Sequence, residues 1–366
     1  MSVSAHEDLR ANDVQLLDPA GHRREHPDYV FHGSDELIAS WYRDLFLVRR
    51  FDTESHALQR HGELGLWAPC RGQEAAQIGS AHALAEQDFA FPTYRDHGVT
   101  WVRGIDPVTS LKLFRGTELG GWNPADHNIA LPAIIIGAQT LHATGYAMGL
   151  NFEGKVGHAD PTRDSAVIAY LGDGATSQGD VNEAFIYASS FNAPVVFFVQ
   201  NNHWAISVPT ERQSRIPLVE RARGFGFNGV RVDGNDILAT YAVTQRALQN
   251  ARDGNGPTLI EAMTYRMGAH TTSDDPTRYR DANELELWEK RDPILRVRKY
   301  LESVGYDESF FAPIENEADE LGERLRAACK NLPDPDLGDL FEFVTETKDP
   351  ELLRQHQEFV AVKAGA

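Results

Sequence analysis

Cysteine is scarce: Cys70 and Cys329 are the only two in 366 residues, and neither has the neighbouring Cys or His that structural zinc or a disulfide framework requires. Isolated thiols fit a reducing compartment, and the cytoplasm is the expected location. Positive charge is also lacking, since 35 basic residues face 54 acidic ones and leave a formal charge of −19. Such a surface repels phosphate backbones and anionic bilayers, so neither nucleic acid nor membrane is expected as a partner. No run reaches the ~18 apolar residues of a membrane span. The nearest, Ile134–Leu150, is interrupted by Gln139, His142 and Thr144 and reads as a buried helix. The first residues lack a basic region followed by an apolar run, so they read as neither a secretory signal nor an organelle presequence.

What is present is an ordinary globular composition, 42% apolar and 24% charged. Residues 1–33 are polar and broken by Asp, Pro, Gly and His, and read as an extended arm able to wrap a partner. Ser34, followed by Glu36 and the apolar series Trp41, Leu45 and Val48, predicts an N-cap and the first helix. From there strand-like and helix-like patterns alternate. Strands are predicted at Ser165–Leu171, Val195–Val199, Val230–Val232 and Thr258–Met263, with helices at Asn182–Ser190 and Ile237–Arg252. This is the pattern of an α/β fold, a parallel sheet flanked by helices. We expect one α/β domain over 34–283, a helical region of the same domain over 284–345 and an acidic tail over 346–366.

Open parallel sheets bind ligands beyond the carboxyl ends of their strands. One predicted strand ends in Gly172-Asp173-Gly174-Ala175, and the next in Asn201-Asn202-His203-Trp204. Asp173 and Asn202 are 202 − 173 = 29 residues apart, one strand-end to strand-end passage, which makes the two ends neighbours. The Asp173 carboxylate, the Asn202 carboxamide and the Trp204 carbonyl offer three oxygens to a magnesium ion that completes its shell with phosphate and water. Alone, a Gly-Asp-Gly is a tight turn. The paired asparagines argue against that bland reading.

Gly-Asp-Gly followed about thirty residues later by Asn-Asn resembles the thiamine-diphosphate motif. The resemblance continues through GELGLWAPCRGQEAAQIGSA, FPTYRDHG, LPAIIIGAQTLHATGYAMG and EAMTYRMGAHTTSDDPTRYR, in order, over residues 34–300. The chain resembles the alpha subunits of the thiamine-diphosphate-dependent 2-oxo acid dehydrogenases, of the pyruvate and branched-chain type. The resemblance implies the thiamine-diphosphate-binding fold. It implies that Tyr94 and Arg95 grip the diphosphate, and that backbone groups of Ile134 and Ile136 meet the aminopyrimidine. Gly172, Gly174 and Ala175 would cradle phosphate, Ile206 would touch the cofactor, and Asp173, Asn202 and Trp204 would hold Mg2+. His270 is the catalytic candidate, on a long polar loop after Arg266 where the family's histidine contacts the diphosphate and faces the entrance. Arg266 and the Asp274-to-Arg280 run would tie that loop down. Gln200 stands where branched-chain relatives often carry a phosphate-binding arginine, and Leu66-Trp67 lies in the block that lines the family's acyl pocket.

The implied activity is decarboxylation of a 2-oxo acid, with transfer of the acyl group to a lipoyl arm of a core acyltransferase. The overall resemblance leans slightly to pyruvate over branched-chain acids. The implied partners are a beta subunit, two copies of each chain forming a heterotetramer, and the lipoyl-bearing core. Acetoin dehydrogenase uses the same scaffold on a different bond and is the near alternative. A non-catalytic cofactor-binding scaffold is the distant one. His142 reads as core, and His97, His127, His158 and His203 as surface or cleft lining without metal spacing.

Overall fold

The computed structural model describes residues 13–118, 121–335, 338–342 and 344–365. Seven strands run in chain order: β1 Phe89–Phe91, β2 Val167–Gly172, β3 Val195–Asn201, β4 Trp204–Ala205, β5 Val208–Pro209, β6 Asn228–Asp233 and β7 Thr258–Met263. Five of them form one parallel sheet in the order β1-β2-β3-β7-β6, while β4 and β5 make a small antiparallel hairpin. The chain therefore has the expected α/β fold, a parallel sheet flanked by helices.

Period-two alternation explains the layers. On β2, Ile168 and Tyr170 join the core shared with helices Asp35–Arg60, Glu74–His82 and Ile237–Arg252, whereas Val167, Ala169 and Leu171 join the core under Ala138–Phe152 and Gly179–Ser190. Both faces are covered, so these strands read as continuous apolar runs rather than as alternating ones. The first helix starts where its cap predicts, with Ser34 Oγ accepting from the Leu37 amide.

Three features differ from the sequence expectation. Residues 1–12 of the expected arm lie outside the described residues, but from Asp13 onward the segment lies along this chain's own sheet edge. Val14 donates to the Arg231 carbonyl at 3.0 Å and accepts from Asp233 N at 3.0 Å, and Leu16 and Leu17 are buried. Two polar anchors hold it: Asp236 accepts from both leucine amides, and Arg296 donates to the Leu17 carbonyl. The helix expected from Ile134 starts at Ala138, because Gly137 takes a φ of +88° that ends the preceding turn. Ile134, Ile135 and Ile136 are thereby left 63, 76 and 39% exposed. The final segment is not patternless: Asp349 caps a helix Pro350–Ala364 with Pro at its first turn, and none of its residues is buried.

Three histidines also change place, and His203 is one of them, buried and off the cleft between the strand ends. His142 lies on the outward face of its helix, exposed, while His97 is buried and stacked on Trp67 with ring centroids 4.3 Å apart. Among the described residues, no helix is long and apolar enough to cross a membrane.

Candidate active site

Because the sheet is parallel, four neighbouring strands deliver their carboxyl ends to one edge. β1 leads to Thr93, Tyr94 and Arg95, β2 to Gly172–Ala175, β3 to Asn202–Ile206, and β7 to Arg266 and His270. Gly172 pairs in register with Gln200, and β3 runs one residue further than β2, so Asp173 and Asn202 each follow directly on their strand within one residue of level, neighbours as their spacing predicts. Between these ends lies a cleft of about 260 Å³. Of the predicted site residues it is lined by Tyr94, Arg95, Ile136, Gly172, Asp173, Gly174, Ala175, Asn202, Trp204, Ile206 and His270. Ile134 does not line it. Trp67 does not either: it is fully buried, gives its indole N–H to Asp52 at 2.8 Å, and braces His97.

The positive wall consists of two guanidiniums. Arg95 is 6% exposed and donates to the carbonyls of Pro69 and His270 at 2.6 and 2.8 Å, with its charge above the Tyr94 ring. Arg266 is 1% exposed and donates to the carbonyls of Trp204 and Ile206 at 2.8 and 2.7 Å. Among the described residues neither guanidinium has a carboxylate partner, although each spans carbonyls that hold it rigid. Burial and Arg95 pull the Arg266 pKa down to about 10. Buried cations without a carboxylate destabilise the fold unless an anion enters beside them. The sequence suggested Arg266 only as a tether for the loop, since nothing in one dimension shows that its neighbours are carbonyls.

His270 sits between them. Its Nδ1 lies 3.2 Å from Arg95 Nη2 and 3.4 Å from Arg266 Nη1. Guanidinium nitrogens only donate, so Nδ1 accepts and the ring proton resides on Nε2. Burial first, then Arg95 and Arg266, pull the imidazole pKa down to about 3, so the ring is neutral in the empty cleft. Its backbone is tied independently: His270 N donates to Asp274 Oδ2 at 2.8 Å.

The oxygen wall faces β2 and β3. Asp173 is 2% exposed, and its Oδ2 accepts from Thr210 at 3.2 Å and Gln213 at 2.9 Å. Asn202 Oδ1 accepts from the Trp204 amide at 3.2 Å. His203 and Ile206 adopt left-handed φ of 71° and 54°, a turn that non-glycine residues rarely make. It points the Trp204 and Ile206 carbonyls at Arg266. Gly174 packs against this hairpin so closely that a Cβ would stand 2.8 Å from the Ala205 Cβ. Gln139 donates to the Tyr170 carbonyl at 2.8 Å, and its Oε1 is buried without a partner beside the cleft. Sequence reading passed over Gln73, Gln77 and Asp96, all buried, the first and last of them lining the cleft and Gln77 lying behind it. The four-residue spacing of the two glutamines on one helix was the available signal.

The profile of the dehydrogenase E1 component family matches residues 42–331. The alpha subunit of 3-methyl-2-oxobutanoate dehydrogenase from Mycobacterium tuberculosis is 44% identical over 354 residues, 95% of this chain and 93% of its own length. Pyruvate dehydrogenase E1 component alpha subunits from Bacillus cereus and Staphylococcus aureus are 39 and 38% identical, over 88 and 94% of this chain and 86 and 91% of theirs. The chain thus belongs to the dehydrogenase E1 component family, among the alpha subunits of the thiamine-diphosphate-dependent 2-oxo acid dehydrogenases.

Proposed function

We propose that this cleft holds thiamine diphosphate with a magnesium ion and that the chain, with a beta subunit, decarboxylates a short 2-oxo acid and passes the acyl group to a lipoyl arm. The observation that carries this reading is the pair of buried guanidiniums, Arg95 and Arg266, with no carboxylate partner among the described residues. They flank a wall of hard oxygens at Asp173 and Asn202. A diphosphate supplies the missing charge to the first and the remaining ligands to a cation at the second. In this reading Tyr94 and Arg95 grip the diphosphate, and Asp173, Asn202 and the Trp204 carbonyl hold Mg2+. Gly172, Gly174 and Ala175 offer backbone amides to phosphate, while Ile206 and backbone groups of Ile134 and Ile136 meet the ring side. When bound, the cofactor supplies the electron sink for decarboxylation. The protein supplies orientation, charge and exclusion of water.

With Nδ1 facing the two guanidiniums, neutral His270 keeps its proton on Nε2. A diphosphate beside Arg95 and Arg266 offsets their field and brings the imidazole back toward its ordinary pKa, where it exchanges protons near neutral pH. His270→Ala removes the ring but keeps the backbone bonds to Asp274 and Arg95. It is expected to slow the assay of the whole complex on the order of 100-fold, and to slow reduction of an artificial acceptor less. Equal and unchanged rates in both assays would make His270 a structural loop residue.

Alpha subunits of 3-methyl-2-oxobutanoate and pyruvate dehydrogenases both fall at 38 to 44% identity, so the substrate proposed is the class they share. The assembly proposed is two copies of each subunit on a lipoyl-bearing acyltransferase core. Its location is the cytoplasm, supported by two buried free thiols. The test is the reconstituted complex offered pyruvate, branched-chain 2-oxo acids and acetoin, with carbon dioxide and the acyl product measured. Acceptance of acetoin alone would defeat the decarboxylase reading.

A further inference from the structure

From the oxygen wall a chain of buried carboxamides runs along the cleft, which Gln73, Gln200 and Asp96 line together with Asn202. Asn202 Nδ2 donates to Gln73 Oε1 at 2.8 Å, Gln73 Nε2 to Gln200 Oε1 at 3.0 Å, and Gln200 Nε2 to Asp96 Oδ1 at 2.6 Å. The four residues are between 1 and 6% exposed. A carboxamide has one donating and one accepting end, so each link fixes the direction of the next. Every donor here points toward Asp96, which burial pushes toward a higher pKa but whose two oxygens both face N–H donors and therefore accept. Its other oxygen is occupied by the Thr93 amide, at 2.5 Å. Gln77 holds the middle from the side: its Oε1 accepts from the Gly98 amide at 2.9 Å, and its Nε2 donates to Gln200 Oε1 at 3.1 Å. Both fixed points, a carboxylate and a backbone amide, are groups that cannot reverse.

The consequence falls on Asn202. With its nitrogen committed to Gln73, its oxygen is turned away toward the strand ends, where the Trp204 amide uses one lone pair and leaves the other. Only a carboxamide oxygen ligates a cation such as magnesium. We propose that Asp96 is a positioning residue that, acting through Gln200 and Gln73, sets the polarity of this relay and so presents the oxygen of Asn202 to the cation. The proposal rests on the magnesium reading given above, and it gives Gln200 a role no cation could fill, since its Oε1 accepts from both Gln73 and Gln77.

The test exploits polarity. In Asp96→Asn the new side chain has one oxygen for two donors, Thr93 N–H and Gln200 Nε2, so the relay loses its fixed end. In Asp96→Asn with Gln200→Glu, the new asparagine accepts from Thr93 and donates to the new glutamate, which accepts from Gln73 and Gln77. The carboxylate has moved one step and the direction is restored. Thiamine diphosphate is titrated calorimetrically into the full chain paired with its beta subunit, with magnesium and with chelator. The single variant is expected to lose about tenfold or more of the magnesium-dependent gain in affinity, and the double variant to recover it. A single variant with the wild-type gain, or a double variant as weak as the single, overturns the proposal. Gln73→Met, which leaves Asp96 and its helix untouched, guards against a defect at that helix; it is expected to show the same loss while still melting in one cooperative transition, and a wild-type gain there also overturns the relay. Asp173→Ala separates the two levels. If it abolishes the magnesium gain while Asp96→Asn does not, the relay fails and the metal site stands; if it leaves the gain intact, the metal site itself fails.

Discussion

Asp173→Ala is expected to lower magnesium-dependent affinity for thiamine diphosphate by more than about 100-fold while leaving the unliganded fold no less stable. Two observations set these opposite directions. Asp173 stands at the carboxyl end of β2, 2% exposed, bonded only to the neutral groups of Thr210 and Gln213. A desolvated carboxylate held by neutral donors weakens the empty protein, since burial raises its pKa more than the hydrogen bonds and the attraction of Arg266 lower it. Its removal leaves two side chains near the surface of a small hairpin that can turn to water. The same charge is the strongest protein ligand a cation meets at this edge, so binding suffers. Linkage makes the contrast measurable as heat stability. At about 100 Kd of cofactor the wild type gains ~2.7 kcal/mol, and a 100-fold weaker variant at the same concentration gains about 0.4 kcal/mol. Thermal melts with and without cofactor and magnesium read both quantities at once. A variant that melts earlier when empty would make Asp173 a fold residue, and one that keeps the full cofactor shift would remove it from the metal site.

Much of this site was legible in one dimension because it belongs to strand ends. Gly172-Asp173 follows the apolar run that ends at Leu171, and Asn201-Asn202 follows Gln200 and the run that ends at Val199; a parallel sheet places such ends together by register alone, as the Gly172–Gln200 pairing does. Tyr94, Arg95 and His270 came only from resemblance to the family, yet they reach the same edge for the same reason. What sequence could not give was polarity and partnership. Gln73 and Gln77 sit in an alanine-rich helix and look like polar punctuation, but their amides are wholly buried and directed. Arg266 looked like a loop tether because its carbonyl partners, Trp204 and Ile206, are 62 and 60 residues away. The exposure of Ile134–Ile136 was misread because hydropathy cannot distinguish a helix core from a loop that awaits a partner. The segment after Asp13 was misplaced for the converse reason: it is polar, but the apolar pair Leu16-Leu17 and the anchors Asp236 and Arg296 hold it on the sheet edge.

The isolated chain is expected to show no 2-oxo acid turnover, and to gain it on mixing with a beta subunit in a complex containing two copies of each. Thiamine catalysis needs a half that grips diphosphate and metal and another whose glutamate activates the aminopyrimidine, as the family resemblance implies. The first half is accounted for by four strand ends of a single five-stranded sheet. The second has no place here: the only other sheet among the described residues is the β4-β5 hairpin of two-residue strands, and no glutamate lines the cleft. The surface agrees with a missing half. Ile134 and Ile135, next to the cleft-lining Ile136, are 63 and 76% exposed, and the outward faces of helices Ala138–Phe152 and Gly179–Ser190 show Phe152, Ile186 and Tyr187 at 76, 44 and 48%. Apolar exposure on this scale marks a partner surface, and obligate partners bury on the order of 2,000 Å² or more. Turnover of each subunit alone and of the mixture, with the mass of each in solution, tests the prediction directly. Substantial turnover by this chain without a partner would mean that the activating glutamate lies within its own 366 residues, and the subunit assignment would fall even if the diphosphate site stood.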